Sequence, residues 1–173
     1  MGFHELTILA LVAALAWAAV SDAFWFRIPN AVPILIVALY PFHLLTNGAA
    51  LETVHWSLLI AGGMFILGFI MFARGAMGGG DVKLLSALSL WAGPQYFPSL
   101  LLVIGIAGGV LAMVILLTAR NPYLALATLH MRAALGLPTA PTSKKGGRTI
   151  PYGIAIALGG LLLCRALVSS ASG

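Results

Sequence analysis

Asp22 and Asp81 are the residues of this 173-residue chain whose type and setting could do chemistry. Only two other acids are present, Glu5 and Glu52. Two carboxylates brought close together cannot both ionise easily, so the pair shares a proton and is an acid and a base at once. The ionised partner can take a proton from water while the protonated one donates to a scissile carbonyl. Such a pair hydrolyses a peptide without a metal or a covalent intermediate. Each acid also has a plainer reading. Asp81 follows three glycines at a helix start, where Asp serves as an N-cap, and Asp22 could be an interfacial charge paired with Arg27, or a cap. No rival nucleophile is evident: Cys164 lies in the last apolar run, and Ser21 and Ser86 have no histidine at a suitable position, with only His130 left open by sequence distance.

The elements that must position these acids are membrane helices. The chain is 61% hydrophobic and 8% charged, with a mean hydropathy of +1.07, against about 25% charged residues in an ordinary soluble domain. This composition predicts a single all-α integral membrane domain over residues 1–173. Apolar runs near the length of about 20 residues needed to cross the hydrocarbon core cover residues 3–20, 31–46, 54–73, 98–119 and 150–169. A sixth span, residues 82–97, is interrupted by Gly93 and Pro94. Its straight part, Val82 to Ala92, is only about 16 Å long at the α-helical rise, so it ends in a bent outer turn. The first span opens with His4 and Glu5 rather than a positive segment, unlike a secretory signal.

Charge sets the orientation. With the N-terminus outside and six alternating spans, eight of the nine basic residues face the cytoplasm: Arg27, Arg74, Lys83, Arg120, Arg132, Lys144, Lys145 and Arg148. Arg165, near the outer end of the last span, is the exception and can snorkel to the headgroups. The overall charge of +5 is therefore explained by topology and anionic lipid headgroups, with no call for nucleic acid. Parity then places both aspartates at the cytoplasmic boundary, because the chain leaves that face after Asp22 and returns before Asp81. The start of the sixth span joins them there. The connection over residues 120–148 begins with Asn121 and Pro122 as a helix start, predicts a short amphipathic surface helix over residues 123–135, and continues as a basic loop. The histidines His4, His43, His55 and His130 lack ligand spacing, and a single cysteine forms no metal motif. No metal or other cofactor is expected.

The stretch Gly75-Ala76-Met77-Gly78-Gly79-Gly80-Asp81-Val82-Lys83 is not a phosphate cradle, since the P-loop needs Lys and then Ser or Thr after its last glycine and Asp81 would repel an anion. Bare backbone there lets another chain approach closely. The run matches the GxGD signature of intramembrane-type aspartic proteases. With Asp22 ahead of Arg27-Ile28-Pro29-Asn30, and Pro151-Tyr152-Gly153 opening the sixth span, the whole chain resembles the type IV prepilin peptidases, most of all the short Tad/Cpa kind.

That resemblance implies that Asp22 and Asp81 form the catalytic pair, cutting after a glycine to remove a short basic leader from prepilins and pseudopilins at the cytoplasmic face of a bacterial inner membrane. Longer members carry a zinc-binding insertion after the first span and methylate the new N-terminus. The first cytoplasmic loop here, residues 21–30, has no room for one, so methyltransferase activity is not expected. Supporting roles fall to Gly78 and Gly80 beside an extended substrate, Lys83 near the pair, Pro29 and Asn30 in the turn that aims Asp22, and Pro151, Tyr152 and Gly153 at the path of substrate access. Each has a plainer reading: Lys83 as a positive-inside anchor, the prolines as helix starts, Asn30 as a turn residue, Tyr152 as an interfacial aromatic. A proton-coupled transporter or channel using Asp22 and Asp81 as a relay is the rival class; it would place acids along a path through the bilayer. A structural component of a secretion system would depend on neither. Gly105, Gly108, Gly109, Gly159 and Gly160 serve packing within one bundle or between chains, leaving the oligomeric state open.

Overall fold

Uninterrupted apolar runs with few charges have one economical solution in lipid, the helix, which satisfies its backbone polar groups internally. The computed structural model describes residues 3–47, 51–138 and 151–171, and these form six helices: α1 (Phe3–Trp25), α2 (Ala31–Asn47), α3 (Leu51–Ala73), α4 (Gly79–Arg120), α5 (Pro122–Ala134) and α6 (Tyr152–Ala171). Four of them, α1, α3, α4 and α6, are long and apolar enough to cross a membrane, and α2 contributes a shorter apolar helix, Ala31–Leu45. The part of the expected 120–148 connection that carries Lys144, Lys145 and Arg148 lies outside the described residues.

Two expected spans, residues 82–97 and 98–119, are joined in the single element α4, and the break between its arms falls at Gly93, where the interruption was expected. Gly93 has φ 54° and ψ −171°, a conformation that L side chains rarely adopt. The two arms it separates both run beside α6, in opposite directions. Gly160 meets Leu88 of the first arm, whereas Gly159 meets Leu100 and Ile104 of the second, and Tyr152 at the start of α6 meets Gly108. The chain therefore folds back at Gly93, and Leu88 and Leu100 share a core with Ile156 and Leu163.

The core is made where small residues let helices approach. α1, α2, α4 and α6 contribute Leu11, Leu15, Ile36, Leu84, Leu88 and Ile156, all fully buried. The Trp91 indole N–H donates to the Ile36 carbonyl at 2.9 Å, fixing α4 against α2. By contrast α3 presents Leu59, Ile66, Phe69 and Ile70 outward, as expected of a surface solvated by acyl chains. Helix α5 buries no residue. It starts where sequence chemistry put it, with the Asn121 side chain accepting from the N–H groups of Tyr123 and Leu124.

The glycines divide by packing. A Cβ at Gly159 would come within 2.5 Å of Ile104 Cγ1, whereas Gly105 and Gly109 have nothing within 4 Å. Gly159→Ala is expected to cost about 1–3 kcal/mol through overpacking, read as a lower midpoint of thermal unfolding in detergent. Gly105→Ala is expected to leave that midpoint unchanged or raise it slightly through a gain of helix propensity of about 0.5–1 kcal/mol.

Candidate active site

Asp22 sits in the last turn of α1, which runs three residues past it to Trp25. It is 6% exposed, and its Oδ2 accepts from the Gly153 backbone N–H at 2.7 Å. Gly153 is the second residue of α6, so this N–H is one of the four amides that the helix cannot satisfy itself. The Asp22 carboxylate thus closes the N-terminal end of α6, where the helix dipole favours negative charge. It is not paired with Arg27, whose backbone carbonyl instead accepts from the Ser21 hydroxyl at 2.6 Å.

Asp81 lies at the corresponding end of α4. The N-cap of that helix is Gly78, which has no side chain to offer, and Asp81, in the third helical position, accepts a hydrogen bond from the Gly78 backbone N–H. This is the reach-back half of a capping box, which corrects the plainer reading of Asp81 as the cap itself. Each acid is thus supported by backbone N–H at a helix N-terminus, Asp81 at its own and Asp22 at that of α6, an arrangement that lets carboxylates persist among apolar helices with no cationic partner among the described residues.

Ile28 sets their relation. Its Cδ1 would be 2.8 Å from a Cβ at Gly153, whose amide holds Asp22, and its own Cβ would be 3.0 Å from one at Gly80, the neighbour of Asp81. The side chain wedges between the two helix starts, and Asp81 lies within electrostatic range of the Asp22 charge. Gly80 is therefore bare to admit Ile28. Gly78 faces the Asp81 carboxylate, whose Oδ2 would lie 2.7 Å from a Cβ there.

The remaining expected residues gather at the same end. Lys83 is exposed, and its Nζ donates to Asn30 Oδ1 at 2.9 Å, tying the first turn of α4 to the start of α2. Asn30 and Pro29 precede α2, and the Pro29 carbonyl accepts from Val32 N–H at 3.1 Å. Pro151 precedes α6 with its carbonyl accepting from Ile154 N–H at 3.3 Å. The Tyr152 ring is packed on Gly108, whose Cβ would lie 2.5 Å from the ring; its place is a helix contact beside the site. Two features were not legible beforehand: the Ile28 wedge, and a cluster at the opposite end of the bundle where His4 and His43 approach to 5.4 Å between ring centroids and His43 stacks near Trp91 at 4.7 Å. Neither has a spacing signal, because both arise from helix packing.

The profile of the type IV leader peptidase family matches residues 9–113. That stretch carries Asp22, Ile28, Gly78, Gly80 and Asp81. Comparison with curated proteins and with solved structures finds no match.

Proposed function

Because the chain belongs to the type IV leader peptidase family, and is therefore a membrane peptidase, we propose that Asp22 and Asp81 are its catalytic dyad and that it removes the short basic leader of type IV prepilins and pseudopilins, of the Flp kind, by cleavage after a glycine. The observation that carries this reading is that both acids gather at one end of the bundle about Ile28, which packs between Gly153, whose amide holds the Asp22 carboxylate, and Gly80, the chain neighbour of Asp81. In this reading one carboxylate, ionised, draws a proton from water, and the other, protonated, donates to the carbonyl oxygen as the tetrahedral centre forms. Proton transfer back to the departing amine then releases the leader. The backbone amides of Gly78 and Gly153 hold the acids in place, so no side-chain base is required.

The topology supports a cytoplasmic site in a multi-pass bacterial inner membrane protein whose N-terminus is outside. The ends of α1, α3 and the second arm of α4 meet the starts of α2, the first arm and α6 at the end that holds both aspartates. Arg27, Arg74, Lys83, Arg120 and Arg132 all fall in or beside those ends, in keeping with the positive-inside rule. The two acids then form a negative pocket within a basic face, complementary to a basic leader. The same clustering speaks against a proton relay, for which acids spread through the bilayer are expected. The short link between Trp25 and Ala31 favours the Tad/Cpa kind and a peptidase without methyltransferase activity.

The test is the purified chain in vesicles with a prepilin substrate, followed by mass measurement of both fragments. Cleavage after glycine with an unmethylated new N-terminus in the presence of S-adenosylmethionine is expected; cleavage elsewhere or none overturns the proposal. The rate is expected to be bell-shaped in pH, falling in acid when both carboxyls are protonated and no base is left, and falling in alkali when both are ionised and no acid is left. Chelators are expected to leave it unchanged.

A further inference from the structure

We propose that Arg132 is a positioning residue for Asp22, acting from α5 on the C-terminal end of α1; the inference rests on the dyad reading above. The last carbonyls of a helix have no intrahelical partner, and a cation at that end is favoured by the dipole. α1 has no basic residue in its own last turn. Arg132 supplies one from more than a hundred residues away. Its Nη2 donates to the Phe24 carbonyl at 2.8 Å and its Nη1 to the Ala23 carbonyl at 3.4 Å. These are the two residues that follow Asp22.

The same guanidinium lies 4.6 Å over the Phe26 ring, and Phe26 is the one described non-glycine residue with positive φ, at 53°. A bulky side chain held in that region costs on the order of 1–3 kcal/mol, so the turn needs an external hold. Arg132 Nε adds a bond to the Pro138 carbonyl at 2.9 Å, fastening the end of α5 to the same point. Helix α5 buries no residue, and Arg132 bonds it to α1 at two carbonyls. Arg132 fixes the end of α1, the end of α1 fixes the rotation of Asp22, and Asp22 keeps its carboxylate on Gly153. A lysine cannot reproduce the planar fork or its stacking on the ring.

The experiment compares the unaltered chain with Arg132→Ala, Arg132→Lys and, as a control, Arg120→Ala, whose exposed side chain lies at the same end without a bond to α1. Leader cleavage is measured in vesicles at equal abundance, together with hydrogen exchange over residues 22–28. Arg132→Ala is expected to lower kcat about tenfold or more with KM within about twofold. It should also speed exchange in that segment. Arg132→Lys should recover only part of the rate, and guanidinium ion below denaturing concentrations should restore Arg132→Ala where sodium chloride at equal ionic strength does not. Unchanged kcat and exchange, or an effect confined to KM, overturns the proposal. If the unaltered chain cleaves no prepilin while Arg132→Ala still speeds exchange, the closure of α1 stands and the peptidase assignment falls.

Discussion

Asp22→Asn and Asp81→Asn are each expected to reduce leader removal by about a thousandfold, the scale of a lost general acid or base. Asparagine is the informative replacement because it nearly preserves volume and keeps an acceptor oxygen. At position 22 the amide oxygen can still accept from Gly153 N–H, now 2.7 Å from Asp22 Oδ2. At position 81 it can still accept from Gly78 N–H. Both helix starts remain closed, so membrane abundance and thermal midpoint should stay near those of the unaltered chain. The loss then belongs to the exchangeable proton. Cleavage of a co-expressed prepilin, read as a gel shift beside an abundance control, is the check.

Gly153→Val is expected to come close to this effect by a different route. A Cβ at position 153 would lie 2.8 Å from Asp22 Oδ2, 2.8 Å from Ile28 Cδ1 and 3.1 Å from Asp22 Cβ. Both neighbours belong to the site, and Ile28 is also packed near Gly80, so neither can yield without moving the dyad. Displacing a reacting group by about 1 Å costs on the order of a hundredfold in rate, and overpacking adds a stability loss of about 1–3 kcal/mol. The expected result is a chain that still inserts, with cleavage down about a hundredfold and a lower thermal midpoint. Activity close to that of the unaltered chain would show that Asp22 does not depend on the α6 amide.

The parts of this arrangement that were legible in the sequence are those encoded by composition and order. Apolar runs gave the helices, and counting them from Asp22 to Asp81 put both acids at one end. Asn121 followed by Pro122 announced α5 through local cap chemistry. The register of Asp81 was not legible, because three glycines in a row leave the first helical residue undefined until the backbone angles of Gly78 are known. The length of the first arm of α4 was legible, since Gly93 and Pro94 end its straight part at Ala92 and Gly93 carries the break. Lys83 looked like an anchor or a modulator of the pair, and its bond to Asn30 spans 53 residues. Arg132 looked like one more positive charge on the inner face. Its role depends on α1 lacking a basic residue at its end and on Phe26 being strained, and both are facts of the folded chain.

In the proposed dyad Asp22 and Asp81 work as one unit. The most direct test is the cleavage rate of one prepilin in vesicles by the unaltered chain, Asp22→Asn, Asp81→Asn and the double variant, at matched protein abundance. The double variant is expected to be no slower than either single one, since a dyad that has lost one member has lost the mechanism. Near-normal cleavage by either single variant, or losses that multiply in the double, would contradict it.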